Sequence, residues 1–174
     1  MLRISHYLRA LAQPATKVLG ARSASGKRPP VVIWNLLRRC NLTCKHCYAT
    51  SADSEFHDEL DTAEALKVID DLHEAGVRVL ILSGGEPLLR KDTFEIARDG
   101  TSKGLRMCMA TNGPLITDEV CAQMLDAHIK TVSLSLDGPT AKIHDDVRSF
   151  PGALEGVVRA GETLKRNGVT FLIN

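Results

Sequence analysis

The sequence has few aromatic residues, almost no net charge and no long apolar run. Aromatic residues make up 4% of the 174 residues, too few for a broad surface on which nucleic-acid bases would stack. There are 22 basic and 21 acidic residues, a net charge of +1, whereas proteins that bind phosphate backbones are usually far more basic. No apolar run approaches the roughly 20 residues that span a bilayer. We therefore expect neither a nucleic-acid partner nor a membrane partner.

Acidic residues are also missing from the start of the chain, where the first one is Asp53. The opening segment is basic and contains several serines, and its second half has the composition of a linker. We predict a basic N-terminal arm and linker over 1–29, with a short helix over 2–12, and a folded core domain over 30–174. The alternative is an organellar transit peptide, which has a similar composition.

Apolar runs alternate with amphipathic segments along the rest of the chain. Strands are predicted over 31–37, 77–83, 105–111, 130–136 and 169–174. Helices are predicted from Asp61 to Gly76, over 94–104, after Thr117 and over 153–167. This alternation indicates an α/β fold with a parallel sheet, either a β/α barrel or an open doubly wound sheet. A complete eight-unit barrel needs about 250 residues and is excluded.

The two ends of this pattern carry further expectations. The run 31–37 is continuously apolar, which predicts a first strand buried on both faces. The last residue, Asn174, follows directly on an apolar strand, and such an edge would be exposed and prone to association. We therefore expect the sequence to be the N-terminal part of a longer protein, poorly soluble and weakly active by itself.

Three of the five cysteines lie within eight residues, at Cys40, Cys44 and Cys47. An odd number of cysteines with one tight group predicts a metal site in a reducing compartment, and hence a cytoplasmic protein, rather than a disulfide framework. Three thiolates on one short loop can hold three corners of a cubane iron–sulfur cluster. The alternative is a non-catalytic zinc module, but there is no second pair of cysteines, and His46 adjoins Cys47 too closely to bind the same ion.

The remaining two cysteines, Cys108 and Cys121, fall on a predicted strand and a predicted helix. Isolated cysteines in such positions usually behave as small apolar side chains. We therefore predict that both contribute to packing and that neither is a ligand of the metal site.

Polar, glycine-containing segments follow the predicted second, third and fourth strands. Because the carboxyl ends of parallel strands meet at one edge of a sheet, we expect these segments to form one site. Gly84 and Gly85 would let the backbone approach a ligand closely, and Glu86 supplies an acceptor suited to an ammonium group. Ser135 and Asp137 lie on the same side of their strand. A hydroxyl and a carboxylate placed there suit the diol of a ribose.

The pattern Cys-x3-Cys-x2-Cys after the first strand, with Gly-Gly-Glu-Pro after the second, resembles the radical S-adenosylmethionine (SAM) enzymes over about 31–174. The resemblance implies a partial (β/α)6 barrel, of which about five units are present and the sixth is missing. It also implies a [4Fe–4S] cluster on the three cysteines, with SAM bound to the open iron. An electron donor such as flavodoxin or ferredoxin would reduce the cluster, and SAM would be cleaved to a 5′-deoxyadenosyl radical.

The resemblance further implies which positions surround SAM. The methionyl ammonium would lie near Gly84, Gly85 and Glu86, and the adenine near the ring-bearing residue His46. The ribose would lie near Ser135 and Asp137, and the carboxylate of SAM near Arg148.

The flanking sequences PPVVIWNLLRRCNLTCKHCYATSAD and VLILSGGEPLLR are similar to a branch of these enzymes that modifies tetrapyrrole side chains. This branch includes enzymes of haem d1 biosynthesis and the didecarboxysirohaem deacetylase of the alternative haem pathway. The similarity implies a sirohaem-derived tetrapyrrole substrate whose propionate or acetate side chains are modified. The alternative is a peptide-modifying maturase, which shares the motifs but would usually have a peptide-recognition domain larger than the N-terminal arm seen here.

Overall fold

The computed structural model describes residues 31–174; the predicted arm, its helix and the linker lie outside the described residues. Five strands form one parallel sheet in the order β1-β2-β3-β4-β5. They are β1 (Val31–Asn35), β2 (Val79–Ser83), β3 (Arg106–Thr111), β4 (Thr131–Leu134) and β5 (Phe171–Ile173). A doubly wound sheet would reverse its strand order at a switch point. The unbroken order therefore confirms the α/β fold of partial-barrel type.

Five helices connect these strands: α1 (Thr62–Glu74), α2 (Thr93–Ser102), α3 (Asp118–Asp126), α4 (Ala141–Arg148) and α5 (Ala153–Arg166). The predicted capping box of α1 is present, since Glu64 N donates to Asp61 Oδ1 at 2.8 Å and Asp61 N donates to Glu64 Oε2 at 3.0 Å. Helix α4 was not predicted from the sequence. Within residues 31–174, no helix combines the length and the apolar character that crossing a membrane requires.

The core lies on one face of the sheet. Right-handed crossovers between neighbouring parallel strands place their helices on the same side. In the three central strands, alternate residues are therefore fully buried, as seen for Leu80, Leu82, Met107, Met109, Val132 and Leu134. Gly100 in α2 allows close packing there, because a Cβ atom at this position would lie 2.5 Å from Met107 Sδ. Gly100 thus lets α2 approach β3.

The prediction for the first strand is wrong in two respects. Strand β1 ends at Asn35, and its face opposite the helices is open, with Val31 59% and Ile33 57% exposed. It is the edge of the described sheet and pairs there with β2 alone. A continuous apolar run does not distinguish an edge strand from a central one. Leu36 and Leu37 are buried, but they lie beyond the strand and begin the loop that carries the cysteines.

The turns at the amino ends of the strands face away from this loop. Gly76, before β2, and Gly104, before β3, have φ angles of +74° and +85°. No atom lies within 4 Å of the position that a Cβ atom would occupy at either glycine. Both turns are therefore open to solvent on the side of the residue where a side chain would project.

Candidate functional site

A cavity of about 300 Å³ lies at the carboxyl ends of the strands. It is enclosed by the cysteine loop, the turn after β2, the ends of β3 and β4, and the last residue of α4. Nine of the ten site residues predicted from the sequence line it: Cys40, Cys44, His46, Cys47, Gly84, Gly85, Ser135, Asp137 and Arg148. The tenth, Glu86, does not. Placement at the carboxyl edge agrees with the general position of ligand sites in parallel sheets.

The three cysteines differ in their environments. Cys40 is buried, Cys44 is half-buried and Cys47 is exposed. Burial raises the pKa of the Cys40 thiol, an effect that Leu42 N opposes by donating to Cys40 Sγ at 3.4 Å. Partial burial also raises the pKa of Cys47, but the neighbouring backbone groups of Ala49, Thr50 and Ser51 outweigh it and lower the pKa overall. The Cys47 thiol therefore ionises more readily than the Cys40 thiol, and the ionised thiol is the form that binds metal.

Both glycines after β2 are required by contacts with the chain itself. A Cβ atom on Gly85 would lie 2.1 Å from Arg39 O, and one on Gly84 would lie 2.4 Å from Leu37 O. The backbones are joined by hydrogen bonds from Gly85 N to Leu37 O at 2.8 Å and from Glu86 N to Arg39 O at 2.9 Å. The glycines were expected to let the backbone approach a ligand. The structure shows that they first let it approach the start of the cysteine loop.

The Glu86 carboxylate, which the sequence suggested for an ammonium group, is occupied by contacts within the chain in this structure. Glu86 is completely buried, and its oxygens accept hydrogen bonds from Leu88 N at 3.1 Å, Thr111 Oγ1 at 2.9 Å and Asn112 N at 2.9 Å. Burial raises the pKa of Glu86 to about 7, against the lowering effect of these hydrogen bonds. Glu86 therefore fastens the turn after β2 to the end of β3, and the adjacent glycines form the wall of the cavity.

Arg90 holds together the two ends of the cysteine loop, a role that the sequence did not indicate. Its Nη1 donates to Leu36 O at 3.3 Å and to Leu60 O at 2.9 Å. Its Nε and Nη2 donate to the two carboxylate oxygens of Asp92, at 2.6 and 2.8 Å. The side chains of Arg90 and Asp92 are only 10% and 14% exposed. The arginine thus joins residues on both sides of the loop. Spacing along the chain could not reveal it, because its carbonyl partners carry no residue-type signal.

We expect Arg90→Leu to destabilise the protein by roughly 3 kcal/mol, because it leaves the shielded Asp92 carboxylate without its partner. The measurement is thermal unfolding under anaerobic conditions. Arg98→Leu is the matched control, since Arg98 pairs with Asp126 at 2.9 Å with both side chains about half or more exposed. Such an exposed pair contributes less than about 1 kcal/mol. Equal losses of stability in the two variants would contradict the role of Arg90 in holding the two ends of the cysteine loop together.

Asp137 contacts two other predicted site residues, Arg148 and His46. Arg148 donates to its two carboxylate oxygens, from Nε at 2.5 Å and from Nη2 at 3.1 Å, and also from Nη1 to Cys44 Sγ at 3.7 Å. His46 Nε2 lies 3.6 Å from Asp137 Oδ1. The two side chains expected near the ribose and the carboxylate of SAM thus pair with each other at the cavity wall. This pair holds the last residue of α4 against the cysteine loop.

His144 is a further residue of this edge that the sequence reasoning did not single out. It is 1% exposed, and its Nδ1 accepts a hydrogen bond from Asp137 N at 3.1 Å. Burial lowers the pKa of His144 and so favours the neutral ring, the form whose Nδ1 can accept a hydrogen bond. The neutral ring thereby fixes the backbone of Asp137. The sequence alone does not show this role, because the burial of the ring depends on the fold.

The remaining cysteines do not line the cavity. Cys121 is fully buried, as predicted for a packing residue, and Cys108 is half-buried on β3. Across residues 31–174, no three His, Cys, Asp or Glu side chains converge closely enough to hold one metal ion.

Comparisons with known proteins agree with this geometry. The chain is 44% identical over 146 residues to an AdoMet-dependent heme synthase of Methanosarcina barkeri, covering 84% of this chain and 42% of that protein. It is 40% identical over 169 residues to a pre-heme d1 synthase of Dinoroseobacter shibae, covering 97% and 41%. The chain therefore spans about two-fifths of the length of these curated relatives.

A solved structure and a family model extend the comparison to the fold. The structure of native anSMEcpe with bound AdoMet matches with a TM-score of 0.64 at 25% identity, over 82% of this chain and 42% of that one. The model of the Radical SAM superfamily matches residues 34–174, a range that contains the three cysteines and every strand from β2 to β5. The chain belongs to the Radical SAM superfamily.

Proposed function

We propose that this chain is the SAM-binding core of an enzyme that generates a 5′-deoxyadenosyl radical and modifies propionate or acetate side chains of a sirohaem-derived tetrapyrrole. The observation that carries the proposal is the meeting of nine predicted residues around one cavity. The substrate class is supported by two relatives near 40% identity that are named for the synthesis of heme and of pre-heme d1.

The donor set fits an iron–sulfur cluster together with SAM. Cys40, Cys44 and Cys47 would bind three irons of a [4Fe–4S] cluster and leave one iron open. When bound, the cluster and SAM supply a one-electron cleavage of the bond between sulfur and C5′. The chain supplies orientation and excludes water from the reactive carbon. A flavodoxin or ferredoxin would supply the electron that reduces the cluster.

The residues around the cavity divide the recognition of SAM between them. The backbone carbonyl groups of Gly84 and Gly85 would accept hydrogen bonds from the methionyl ammonium, since the Glu86 carboxylate is occupied by contacts within the chain. Ser135 and Asp137 would face the ribose hydroxyls. Arg148 would give one of its donors to the carboxylate of SAM while keeping a second on Asp137.

The experiment that tests the proposal is anaerobic iron–sulfide reconstitution of the full-length protein. We expect bound iron and sulfide, an electron paramagnetic resonance (EPR) signal after reduction that SAM perturbs, and 5′-deoxyadenosine formed from SAM. Adding didecarboxysirohaem or a related tetrapyrrole should increase deoxyadenosine formation and change the mass of the macrocycle. Tight zinc without iron would favour the non-catalytic module. Turnover of a precursor peptide, with no effect of tetrapyrroles, would favour a maturase.

A variant of Arg148 tests its contact with SAM. We expect Arg148→Gln to raise the dissociation constant of SAM about tenfold or more at unchanged iron content, because a hydrogen bond between charged groups contributes about 1.5–3 kcal/mol. Binding is measured by titration of the EPR signal with SAM. Arg159→Gln is the matched control, because Arg159 is exposed on α5. A dissociation constant unchanged in Arg148→Gln would remove this residue from the binding site.

A further inference from the structure

We propose that Asn112 is a positioning residue that donates a hydrogen bond to Cys40 Sγ and thereby sets the reduction potential of the cluster. The inference rests on the proposed function, because it requires that Cys40 binds a [4Fe–4S] cluster. Asn112 is 8% exposed and lies at the end of β3, on the wall of the cavity. It is separated from Cys40 by 72 residues of sequence.

The side-chain amide of Asn112 faces two acceptors. Its Nδ2 donates to Asn41 Oδ1 at 2.8 Å and lies 3.7 Å from Cys40 Sγ, a normal distance when sulfur is the acceptor. A rotated amide would place its oxygen against the Asn41 oxygen and the thiolate sulfur, where like charges repel. The amide is therefore fixed with its N–H groups toward the cysteine loop.

This orientation has a cost that the structure leaves unrelieved. Asn112 Oδ1 is buried and has no hydrogen-bond partner, which is unfavourable because the oxygen has lost its contact with water. Buried polar groups without partners are rare, and one that persists calls for a reason. The reason is the direction of the N–H groups toward Cys40, because Asn112 Nδ2 can point there only if Asn112 Oδ1 is left without a partner.

The backbone beneath Asn112 is held rigidly by Glu86. The buried carboxylate accepts from Asn112 N and from Thr111 Oγ1, both at 2.9 Å. Thr111 Oγ1 in turn accepts from Gly113 N at 3.1 Å. Glu86, which the sequence suggested as a ligand-binding residue, thus holds the backbone of Asn112 in place, and the side-chain amide of Asn112 reaches Cys40 Sγ. Because the Asn112 amide is already held in position, it does not have to reorient when the cluster is reduced.

A hydrogen bond to a cluster sulfur changes the equilibrium between the two redox states. Reduction adds negative charge that is shared with the cysteine sulfurs, and an N–H donor stabilises the reduced state more than the oxidised one. Cys40 is the most buried of the three cysteines, so water screens this interaction least there. Removing the donor should therefore make reduction harder and the potential more negative.

The test is a redox titration of the reconstituted full-length protein, followed by EPR. We expect Asn112→Leu to keep its iron but to show a threefold to tenfold lower ratio of reduced to oxidised cluster at a fixed potential, where tenfold corresponds to about 59 mV for one electron. Asn167→Leu is the matched control. It removes a surface amide that donates to Asp118 and Thr163 and should leave the potential unchanged.

A second measurement does not depend on the stability of the leucine variant. In wild-type protein labelled with 15N in asparagine side chains, pulsed EPR of the reduced cluster should detect a weakly coupled 15N nucleus. Asn112→Asp keeps the shape of the side chain, lacks this nitrogen and serves as the blank. An unchanged potential in Asn112→Leu with full iron, or no coupling in the labelled wild type, would overturn the inference. Failure of the wild type to bind iron would instead refute the proposed function.

Discussion

Cys44→Ala is expected to lower the iron content by about four per chain relative to the wild type and to abolish 5′-deoxyadenosine formation. The half-buried thiol is one of three that line the cavity, and a cluster held by three cysteines has no spare ligand when one is removed. Iron analysis and EPR after reduction measure the first effect, and the deoxyadenosine assay measures the second.

Cys108→Ala is the matched control for this result. Cys108 is also half-buried, but it lies in the middle of β3 and does not line the cavity. We expect this variant to retain the iron and the deoxyadenosine formation of the wild type. Wild-type iron content in Cys44→Ala would contradict the assignment, and the same losses in both variants would point to a general effect of removing thiols.

Gly85→Ala is expected to destabilise the protein by at least about 3 kcal/mol and to lower iron incorporation. The new Cβ atom would lie 2.1 Å from Arg39 O and 2.6 Å from Arg38 O. These are backbone atoms directly before Cys40, so they cannot move aside as a flexible side chain would. Separation of the two segments would break the hydrogen bond from Glu86 N to Arg39 O. Thermal unfolding and iron content, both measured anaerobically, test this expectation.

Gly76→Ala distinguishes this clash from a general effect of replacing glycine. Its φ angle is +74°, and the space around the added atom is open, so the cost should be about 1 kcal/mol, that of the left-handed conformation alone. Iron content should equal that of the wild type. If Gly85→Ala were no more harmful than Gly76→Ala, the close contact between the turn after β2 and the cysteine loop would be refuted.

Local patterns of sequence predicted much of the fold. Asp61 and Glu64 lie three residues apart and cap α1 as expected, because both partners belong to the same helical turn. The β1 prediction failed because burial of Val31 and Ile33 depends on what lies beside the strand, which the strand itself does not encode. The sequence also gave no sign of α4, a short helix whose end is fixed by the contact of Arg148 with Asp137.

The cysteine motif and the polar ends of the strands indicated where the cavity would form, but several roles became visible only in three dimensions. Glu86 has the right residue type for binding an ammonium group, yet its hydrogen bonds to Thr111 and Asn112 bury it. Arg90 and Asn112 act on the cysteine loop from 54 and 72 residues away. Interactions over such separations follow from the pairing of strands, which the spacing of motifs cannot specify.

The open turns at Gly76 and Gly104 offer sites for attaching the protein to a surface at the end of the sheet opposite the cavity. Both turns lie at the amino ends of strands, away from the cavity, and have open space around them. A short tag inserted after Gly104 would attach the protein to an electrode or a sensor chip with its cysteine loop turned toward the solution. Immobilised in this orientation, the protein would present the cavity to soluble ligands as it does in free solution.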